Sequence, residues 1–368
     1  SYEFGGGVLV DGTIYKVGII GTDVAGNAGT LVENTNITYD ITNPGFGSVT
    51  PVTNAKVRAG TRSVTYTNVE DLSAGSVVYT GTGGSDSGTV HNTVFDATQR
   101  QTGSHTVDVA GLVDANTYSL EVKGTDLAGN SATVTNTGII YDTTNPSFGS
   151  VTPATGSRVN AGGRVASWTN SEALSGGTLK WTGTAGTDSG NVHSEDLGTN
   201  GKLGQGAQTL DIGAVLANGS TYTMEVSGTD VAGNTGNVSR TGIVYDTAGP
   251  AFTPVLPDVG YKIGPVSRTV SWSNNEALSA GEVKYVSTAG SDSGSSYANN
   301  MAGKLGQGNQ SVDIGALVNG STYTLTVAGT DVAGNPGTTV TNTGIIYDSD
   351  APGFGSVTPD TNARISAG

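Results

Sequence analysis

The chain has 368 residues, no cysteine, 58 glycines and a charged fraction of only 13%, with a formal net charge of −15. Without cysteine it cannot form disulfides or thiolate-bound metal sites, and its 16 Lys and Arg residues, scattered singly, argue against nucleic-acid binding. No apolar run approaches the roughly 18 residues of a membrane span, whereas an acidic surface suits solubility and the binding of divalent cations.

A repeat of about 100 residues organises the chain from end to end. Its marker is the string Gly-Thr-Asp-x-Ala-Gly-Asn, and each copy is followed by a Tyr-Asp pair and then by a proline. With boundaries placed after these prolines, the complete repeats are 45–146, 147–250 and 251–352. Residues 1–44 form the C-terminal part of an earlier repeat, and 353–368 form the N-terminal strand of a following one. We expect the chain to be a window on a much longer polypeptide or polymer.

Polar and apolar residues alternate within each repeat, which is the period of a β-strand. In the second complete repeat, this pattern predicts strands at Val165–Trp168, Leu179–Trp181, Thr209–Ile212, Tyr222–Val226 and Gly242–Tyr245. Turn residues separate them, including the pair at 176–177. Seven or so short strands in about 100 residues predict an all-β chain of tandem immunoglobulin-like β-sandwich domains arranged end to end, with few helices.

One tyrosine recurs at the start of the strand that corresponds to strand F of such a sandwich. The three copies are Tyr118, Tyr222 and Tyr323. Together with the apolar residues two and four positions later, each is predicted to face the core. The position matches the hydrogen-bonded tyrosine corner of immunoglobulin-like domains; a buried aromatic without that bond is the alternative.

Three acidic residues recur in register in every repeat. One glutamate lies in the loop between strands B and C, one aspartate begins the loop between strands F and G, and one aspartate lies in the linker after the preceding repeat. These two loops share one end of an immunoglobulin-like sandwich, and the linker arrives at that same end. The sequence therefore predicts that three carboxylates meet at each junction between repeats.

Clustered carboxylates repel one another unless a cation or protons intervene, and calcium accepts six to eight oxygen ligands in a loose geometry, whereas magnesium demands a tighter octahedron. We therefore predict calcium sites, with Asn side chains or loop carbonyls in support. The predicted ligands are Asp40, Glu70, Asp126 and Asn130, with Asp71 as a further candidate; Asp142, Glu172, Asp230 and Asn234; and Asp246, Glu276, Asp331 and Asn335. The alternative is that these acids only cap turns.

A second aspartate recurs in glycine-containing loops, at Asp86, Asp188 and Asp292. It is interpreted mainly as a turn residue, with a second metal site or a subunit contact as alternatives. The three histidines (His91, His105 and His193) have no recurring partners and are interpreted as surface residues. Paired carboxylates could in principle hydrolyse a glycoside, but the predicted ones lie at junctions with no cleft in evidence, so the chain is not expected to be an enzyme.

Several strings in the chain resemble the bacterial immunoglobulin-like repeats of giant surface adhesins and biofilm-associated proteins. They are Gly-Thr-Asp-Val-Ala-Gly-Asn at 228–234, Ser-Glu-Ala-Leu-Ser at 171–175 and Tyr-Asp-Thr-Thr-Asn-Pro at 141–146. The resemblance covers every repeat and implies export, display at the cell surface and calcium at domain junctions. Asp246-Thr-Ala-Gly-Pro departs from the pattern by lacking the Asn before proline, and Asp71 stands where the other repeats have Ala.

These observations favour an extracellular structural region, such as a stalk, surface fibre or filament, that supports adhesion or biofilm architecture. Its partners would be neighbouring repeats of the same chain, and identical chains if it forms a filament, with no nucleic acid and no membrane span in this fragment. Two alternatives stay open: an adhesin module that binds a glycan or a host protein, and an accessory region of a giant secreted enzyme.

Overall fold

The computed structural model describes residues 9–213 and 215–366, and β-strands dominate them. The outermost residues of the two predicted partial repeats, 1–8 and 367–368, lie outside the described part. The one helical element among the described residues is a short 3-10 turn at Ala161–Arg164. Within the same residues, no helix has the length and apolar character needed to cross a membrane. The predicted all-β class with few helices is therefore confirmed.

The strands recur in the same order in each repeat. An initial hairpin consists of β1 (Thr13–Ile19) and β2 (Val32–Tyr39). The first complete repeat contains β3 (Phe46–Thr50), β4 (Lys56–Val57), β5 (Val64–Asn68), β6 (Leu72–Gly83), β7 (Val90–Val94), β8 (Gly103–Val107), β9 (Asn116–Asp126) and β10 (Ser131–Tyr141). The second contains β11 (Phe148–Thr152), β12 (Arg158–Val159), β13 (Val165–Asn170), β14 (Leu174–Ala185), β15 (Val192–Asp196), β16 (Gly206–Asp211), β17 (Thr221–Asp230) and β18 (Thr235–Tyr245). The third contains β19 (Phe252–Leu256), β20 (Lys262–Ile263), β21 (Thr269–Asn274), β22 (Leu278–Ala289), β23 (Ser296–Asn299), β24 (Gly308–Asp313), β25 (Thr322–Asp331) and β26 (Val340–Tyr347).

Each complete repeat has one three-stranded and one five-stranded sheet. In the first repeat the orders are β3-β5-β8 and β4-β10-β9-β6-β7, and the other two repeats have the same orders at equivalent strands. The first segment of a repeat divides between the sheets, because β3 pairs antiparallel with β5 whereas β4 pairs parallel with β10. Two mainly antiparallel sheets with this exchange of the first strand are typical of an immunoglobulin-like sandwich.

The core lies between the two sheets and follows the predicted period of two. Along β9 the side chains of Tyr118, Leu120 and Val122 are fully buried and alternate with more exposed residues. In the third repeat, Trp272 of the three-stranded sheet packs in the same apolar core as Tyr285 of the five-stranded sheet. The predicted core positions on strand F are confirmed, including those at Tyr222 and Tyr323.

One predicted turn is wrong. The glycines at 176–177 lie inside β14, which runs without interruption from Leu174 to Ala185. The equivalent glycines of the other repeats give the reason. A Cβ on Gly75 would lie 2.3 Å from the ring of Phe95, and one on Gly281 would lie 2.4 Å from the sulfur of Met301. At those two positions glycine leaves room in the strand for a core side chain, and it does not make a turn.

The described chain forms two compact units. One comprises the described residues up to Ser147 with the loop segments Glu172–Gly176 and Gly228–Gly236, and the other comprises the remaining described residues from Phe148 onward. Two loops of the second repeat thus group with the first repeat and the linker that follows it. The repeat boundaries after residues 44, 146, 250 and 352 remain a prediction.

Candidate metal centres

Three carboxylates from separate parts of the chain meet at each of three places. Each set, which we call a triplet, contains a linker aspartate, a glutamate from the β5–β6 loop or its equivalent, and the last residue of β9 or its equivalent. In each triplet, one oxygen from every carboxylate lies within 4.8 Å of the other two. The first triplet is Asp40, Glu70 and Asp126, the second is Asp142, Glu172 and Asp230, and the third is Asp246, Glu276 and Asp331. Each triplet lies wholly within one compact unit.

Strand pairing places the glutamate beside the last residue of β9. Leu72, the first residue of β6, pairs with Asp126, so Glu70 lies just beyond the end of the pairing. Leu72 is buried, and the Ser73 hydroxyl donates a hydrogen bond of 2.6 Å to the backbone carbonyl of Asp126. The equivalent serines make the same bond in the other repeats, at 2.6 Å and 2.5 Å. The recurring Glu-x-Leu-Ser string therefore fastens the glutamate loop to the aspartate.

The aspartate that ends β9 is buried and ordered by its own loop. Asp126 is 1% exposed, and its Oδ1 accepts hydrogen bonds from the backbone N–H groups of the next loop residues, including Gly129 at 2.7 Å and Asn130 at 2.9 Å. Burial acts to raise the pKa of Asp126, but the hydrogen bonds from Asn130 and from the loop backbone outweigh it and hold the pKa below its ordinary value. The aspartate therefore stays ionised, as a cation ligand must.

The asparagine of the marker string connects the loop to the linker. The Nδ2 of Asn234 donates to Oδ2 of Asp230 and to the backbone carbonyl of Asp142, both at 2.9 Å. Asn130 and Asn335 repeat both contacts with their own aspartates and linkers. Since the amide nitrogen is occupied in this way, only the side-chain oxygen of each asparagine is left for the predicted role as a ligand.

The linker aspartates are held by short backbone contacts. The N–H of Asp142 donates to the carbonyl of Val57 at 2.8 Å, and that of Asp246 donates to the carbonyl of Val159 at the same distance. Oδ1 of each carboxylate accepts the backbone N–H two residues on, from Thr144 in one case and Ala248 in the other, at 3.2 Å. Each linker therefore presents its carboxylate at a defined place where the next repeat begins.

The glutamates show that the carboxylates repel one another. Burial and then the neighbouring Asp126 and Asp40 raise the pKa of Glu70 above its ordinary value of 4.5. The pKa of Glu172 and that of Glu276 are raised for the same two reasons, burial first and then the two aspartates of their own triplets. Each triplet is thus a site where the protein's own groups do not fully neutralise the negative charge of the three carboxylates.

The donor set fits a calcium ion. Two oxygens bound to one calcium at about 2.3–2.6 Å cannot be more than about 5.2 Å apart, and the triplet oxygens lie within 4.8 Å of one another. Carboxylate and carbonyl oxygens without nitrogen or sulfur are the ligands that hard cations prefer. Turn capping, the alternative for these acids, also occurs at Asp126, but a carboxylate has about four lone-pair positions and can do both.

Asp71 contributes differently. It lines the same small cavity as Asp40, Glu70 and Leu127, but its Oδ1 accepts hydrogen bonds from the backbone N–H and the hydroxyl of Thr102, at 2.7 Å and 2.9 Å. These bonds lower the pKa of Asp71. The residue is therefore fastened to the neighbouring loop and is not one of the three carboxylates that meet.

The second recurring aspartate has a partner network that sequence reasoning missed. Asp188 is 7% exposed, and its Oδ2 accepts a hydrogen bond of 2.6 Å from the Tyr222 hydroxyl and contacts Nε2 of His193 at 2.6 Å. The Tyr222 hydroxyl also accepts the backbone N–H of Ala217 at 2.8 Å, which confirms the tyrosine corner. The equivalent bonds to Val113 and Val318 confirm it in the other repeats.

The interpretation of His91 and His193 as surface residues is therefore wrong. Their side chains are only 12% and 18% exposed, and each imidazole contacts a buried aspartate, Asp86 or Asp188. In the third repeat Tyr297 takes the place of the histidine, with its hydroxyl 3.0 Å from both oxygens of Asp292. The signal in the sequence is a His or Tyr five residues after each aspartate. The remaining histidine, His105, contacts the carbonyl of Gln101.

No protein-family model matches the chain, and no curated protein sequence matches it. Among solved structures, it is similar to a Ca2+-stabilised adhesin with which an Antarctic bacterium binds ice, at 21% identity over 91% of this chain and 82% of that one, with a TM-score of 0.29. It is also similar to a tetra-tandem repeat in the extending region of a large adhesion protein, at 21% identity over 92% and 83% of the two chains, with a TM-score of 0.29. A 1.5-MDa bacterial ice-binding adhesin gives 20% identity over 84% and 98%, with a TM-score of 0.30. Similarity at this level does not assign a function, and the residues of this chain have to supply the evidence for one.

Proposed function

We propose that this chain is a repeat region of an extracellular stalk, surface fibre or filament, and that calcium bound at each triplet rigidifies the junction between repeats. The observation that carries the proposal is that equivalent sets of three carboxylates meet at three places, and that a linker supplies one carboxylate of each set. An ion held by both a linker and the repeat that follows it would restrict the angle between repeats.

A structural role is supported over a catalytic one by the repetition itself. The triplets use equivalent residues in every repeat, whereas an active site needs a constellation in only one place. The asparagine bonds that tie each loop to its linker are also the same at all three places. The partners joined by these sites are thus neighbouring repeats of one chain, displayed outside the cell in support of adhesion or surface architecture.

The test is calcium calorimetry on the full chain with alanine variants of one triplet. Three sites are expected in the wild type. Asp142→Ala and Asp230→Ala should each lower the calcium affinity of the second site by roughly tenfold or more. Each variant removes one of three charged ligands, and breaking a partly buried ionic contact is costly. The double variant should be little worse than either single one, because both residues serve one ion.

Asp331→Ala is the matched control, because it removes the equivalent ligand of the third triplet and should leave the second site unchanged. Absence of calcium heat and of calcium-dependent stabilisation in the wild type would show that the acids are turn residues only. Additive losses in the double variant would show that Asp142 and Asp230 do not share an ion.

A further inference from the structure

A basic residue recurs at one position of every repeat, next to the linker. Lys56, Arg158 and Lys262 are the first residues of the two-residue strands β4, β12 and β20, and Arg364 occupies the same position at the C-terminal end of the described chain. Each two-residue strand pairs in parallel with the last strand of its own repeat; Arg158 pairs with Val244, two residues before Asp246. The pairing therefore places a cation beside the linker aspartate.

At the third triplet this cation forms an ion pair with the linker carboxylate. Nη1 of Arg158 is 3.6 Å from Oδ2 of Asp246, the oxygen that the backbone of Ala248 does not use. Arg158 also lines one small cavity together with Glu276 and Val332, a residue of the loop that follows Asp331. The charge of Arg158 acts to lower the pKa of Glu276, opposing the increase that burial and the aspartates cause. The guanidinium thus partly neutralises the triplet.

The other two triplets differ in this respect. At the second triplet, the charge of Lys56 acts to lower the pKa of Glu172. Within residues 9–213 and 215–366, however, none of the six carboxylates of the first and second triplets is in an ion pair. No basic residue is among the groups that shift the pKa of Glu70 in the first triplet. Equivalent ligands are therefore combined with three different arrangements of nearby positive charge.

We propose that Arg158 acts as a built-in counter-cation that sets the calcium affinity of the third triplet. This inference depends on the proposed calcium sites. An arginine on Asp246 holds the triplet together when calcium is absent, and it repels the incoming ion and competes for the same oxygen when calcium arrives. The third site should then bind calcium more weakly than the second, and its calcium-free form should be the more ordered of the two.

The test replaces Arg158 in the full chain and follows each triplet separately. Hydrogen exchange of the loops at 126–130, 230–234 and 331–335, measured over a series of calcium concentrations, gives one midpoint for each site. Arg158→Gln should lower the midpoint of the 331–335 loop about tenfold, as expected for loss of one partly screened charge near a divalent ion. In EDTA, the same variant should show faster hydrogen exchange at 246–248 and 331–335 than the wild-type chain, because it lacks the ion pair with Asp246.

Two controls separate charge from structure. Arg158→Lys keeps the charge and should stay near the wild-type midpoint. Lys262→Gln removes the equivalent charge of the next repeat, whose linker residue Asp348 belongs to no triplet in the described part of the chain, and should move none of the three midpoints.

An unchanged or higher midpoint at 331–335 in Arg158→Gln, with calcium still protecting all three loops, would overturn the inference and leave the calcium proposal intact. If calcium does not slow hydrogen exchange at any of the three loops of the wild-type chain, both the inference about Arg158 and the proposed calcium sites are overturned.

Discussion

The hydroxyl of Tyr323 makes two hydrogen bonds inside the third repeat. It accepts the backbone N–H of Val318 at 2.8 Å and donates to Oδ2 of Asp292 at 2.7 Å. Burial, together with the bond to Asp292, raises the pKa of this tyrosine to about 12, so the hydroxyl stays protonated and able to donate. Tyr285 lies in the same core and is also fully buried, but its hydroxyl has no hydrogen-bond partner among the described residues.

Removal of these two hydroxyls should therefore have different effects. Tyr323→Phe leaves the Val318 N–H without its acceptor and removes one of the donors to Asp292, which keeps its bond from Tyr297, and should cost about 1–3 kcal/mol of unfolding free energy. Tyr285→Phe removes only an unpaired buried polar atom and should leave stability unchanged or raise it by about 1 kcal/mol. Hydrogen exchange of peptides from β25 measures both, and equal losses in the two variants would contradict the role of the corner.

The tyrosine corner could be predicted because its tyrosine and the accepted N–H lie five residues apart in the chain. Its second partner could not, because Asp292 lies 31 residues before Tyr323 and reaches it only through the pairing of β22 with β25. The same limit applies to Arg158, whose contact with Asp246 spans most of its own repeat. The triplet residues were predicted from their register in every repeat and from the loop order of an immunoglobulin-like sandwich, whereas their cationic and buried partners needed the fold.

At the scale of elements, the loop between β5 and β6 and its equivalents carry the proton-sensitive groups. The pKa of each triplet glutamate is raised above 4.5 in the folded, calcium-free protein. Between 4.5 and the raised value, the folded state therefore binds more protons than the unfolded state. The contribution of these glutamates to stability is then gained as the pH falls through the raised pKa and is lost as the pH rises through it.

Calcium binding should show the reverse dependence, because the ion needs ionised carboxylates. At about pH 5 each site should bind more weakly than at pH 7 and should release more protons on binding. Calorimetry in buffers of different ionisation enthalpy measures this release. Glu172→Gln should abolish the contribution of the second site, whereas proton release that does not change with pH would contradict the assignment of the glutamates as ligands.

The strands themselves were predicted better than their ends. Tyr222–Val226 lies within β17 and Gly242–Tyr245 lies within β18, because alternation and a buried tyrosine mark those cores. Leu179–Trp181 covers only a quarter of the 12 residues of β14. The missing part begins with Leu174-Ser175 and two glycines, which local propensity assigns to a turn and which tertiary packing makes part of a strand.

At the scale of the whole molecule, the triplets and the sandwich cores are separate sources of order. Among the described residues, the apolar cores of the first and third repeats contain no triplet residue, whereas each triplet combines a linker aspartate with loop residues of the repeat that follows. If calcium occupies the triplets as proposed, it binds only the ordered arrangement and stabilises that arrangement by mass action.

Calcium removal should therefore loosen the junctions before it unfolds any sandwich. Small-angle X-ray scattering in EDTA should show a broader distribution of distances than in millimolar calcium, while far-UV circular dichroism at the same temperature stays unchanged. Simultaneous loss of β-structure would show that calcium belongs to the folding of each repeat, and an unchanged distribution would show that the junctions do not depend on the ion.

The parallel pairing of β4 with β10 has a mechanical consequence. Chain entering a repeat passes through β3 and β4, and chain leaving it departs from the end of β10, where Lys56 and Val57 pair with Ile140 and Tyr141. Tension on the two ends pulls these parallel strands in opposite directions along their length. Their hydrogen bonds then carry the force side by side and must break together, whereas a hairpin pulled from its open end breaks one bond at a time. A repeat built in this way resists stretching through its first and last strands, and the force needed to open it depends little on how stable the remainder of the sandwich is.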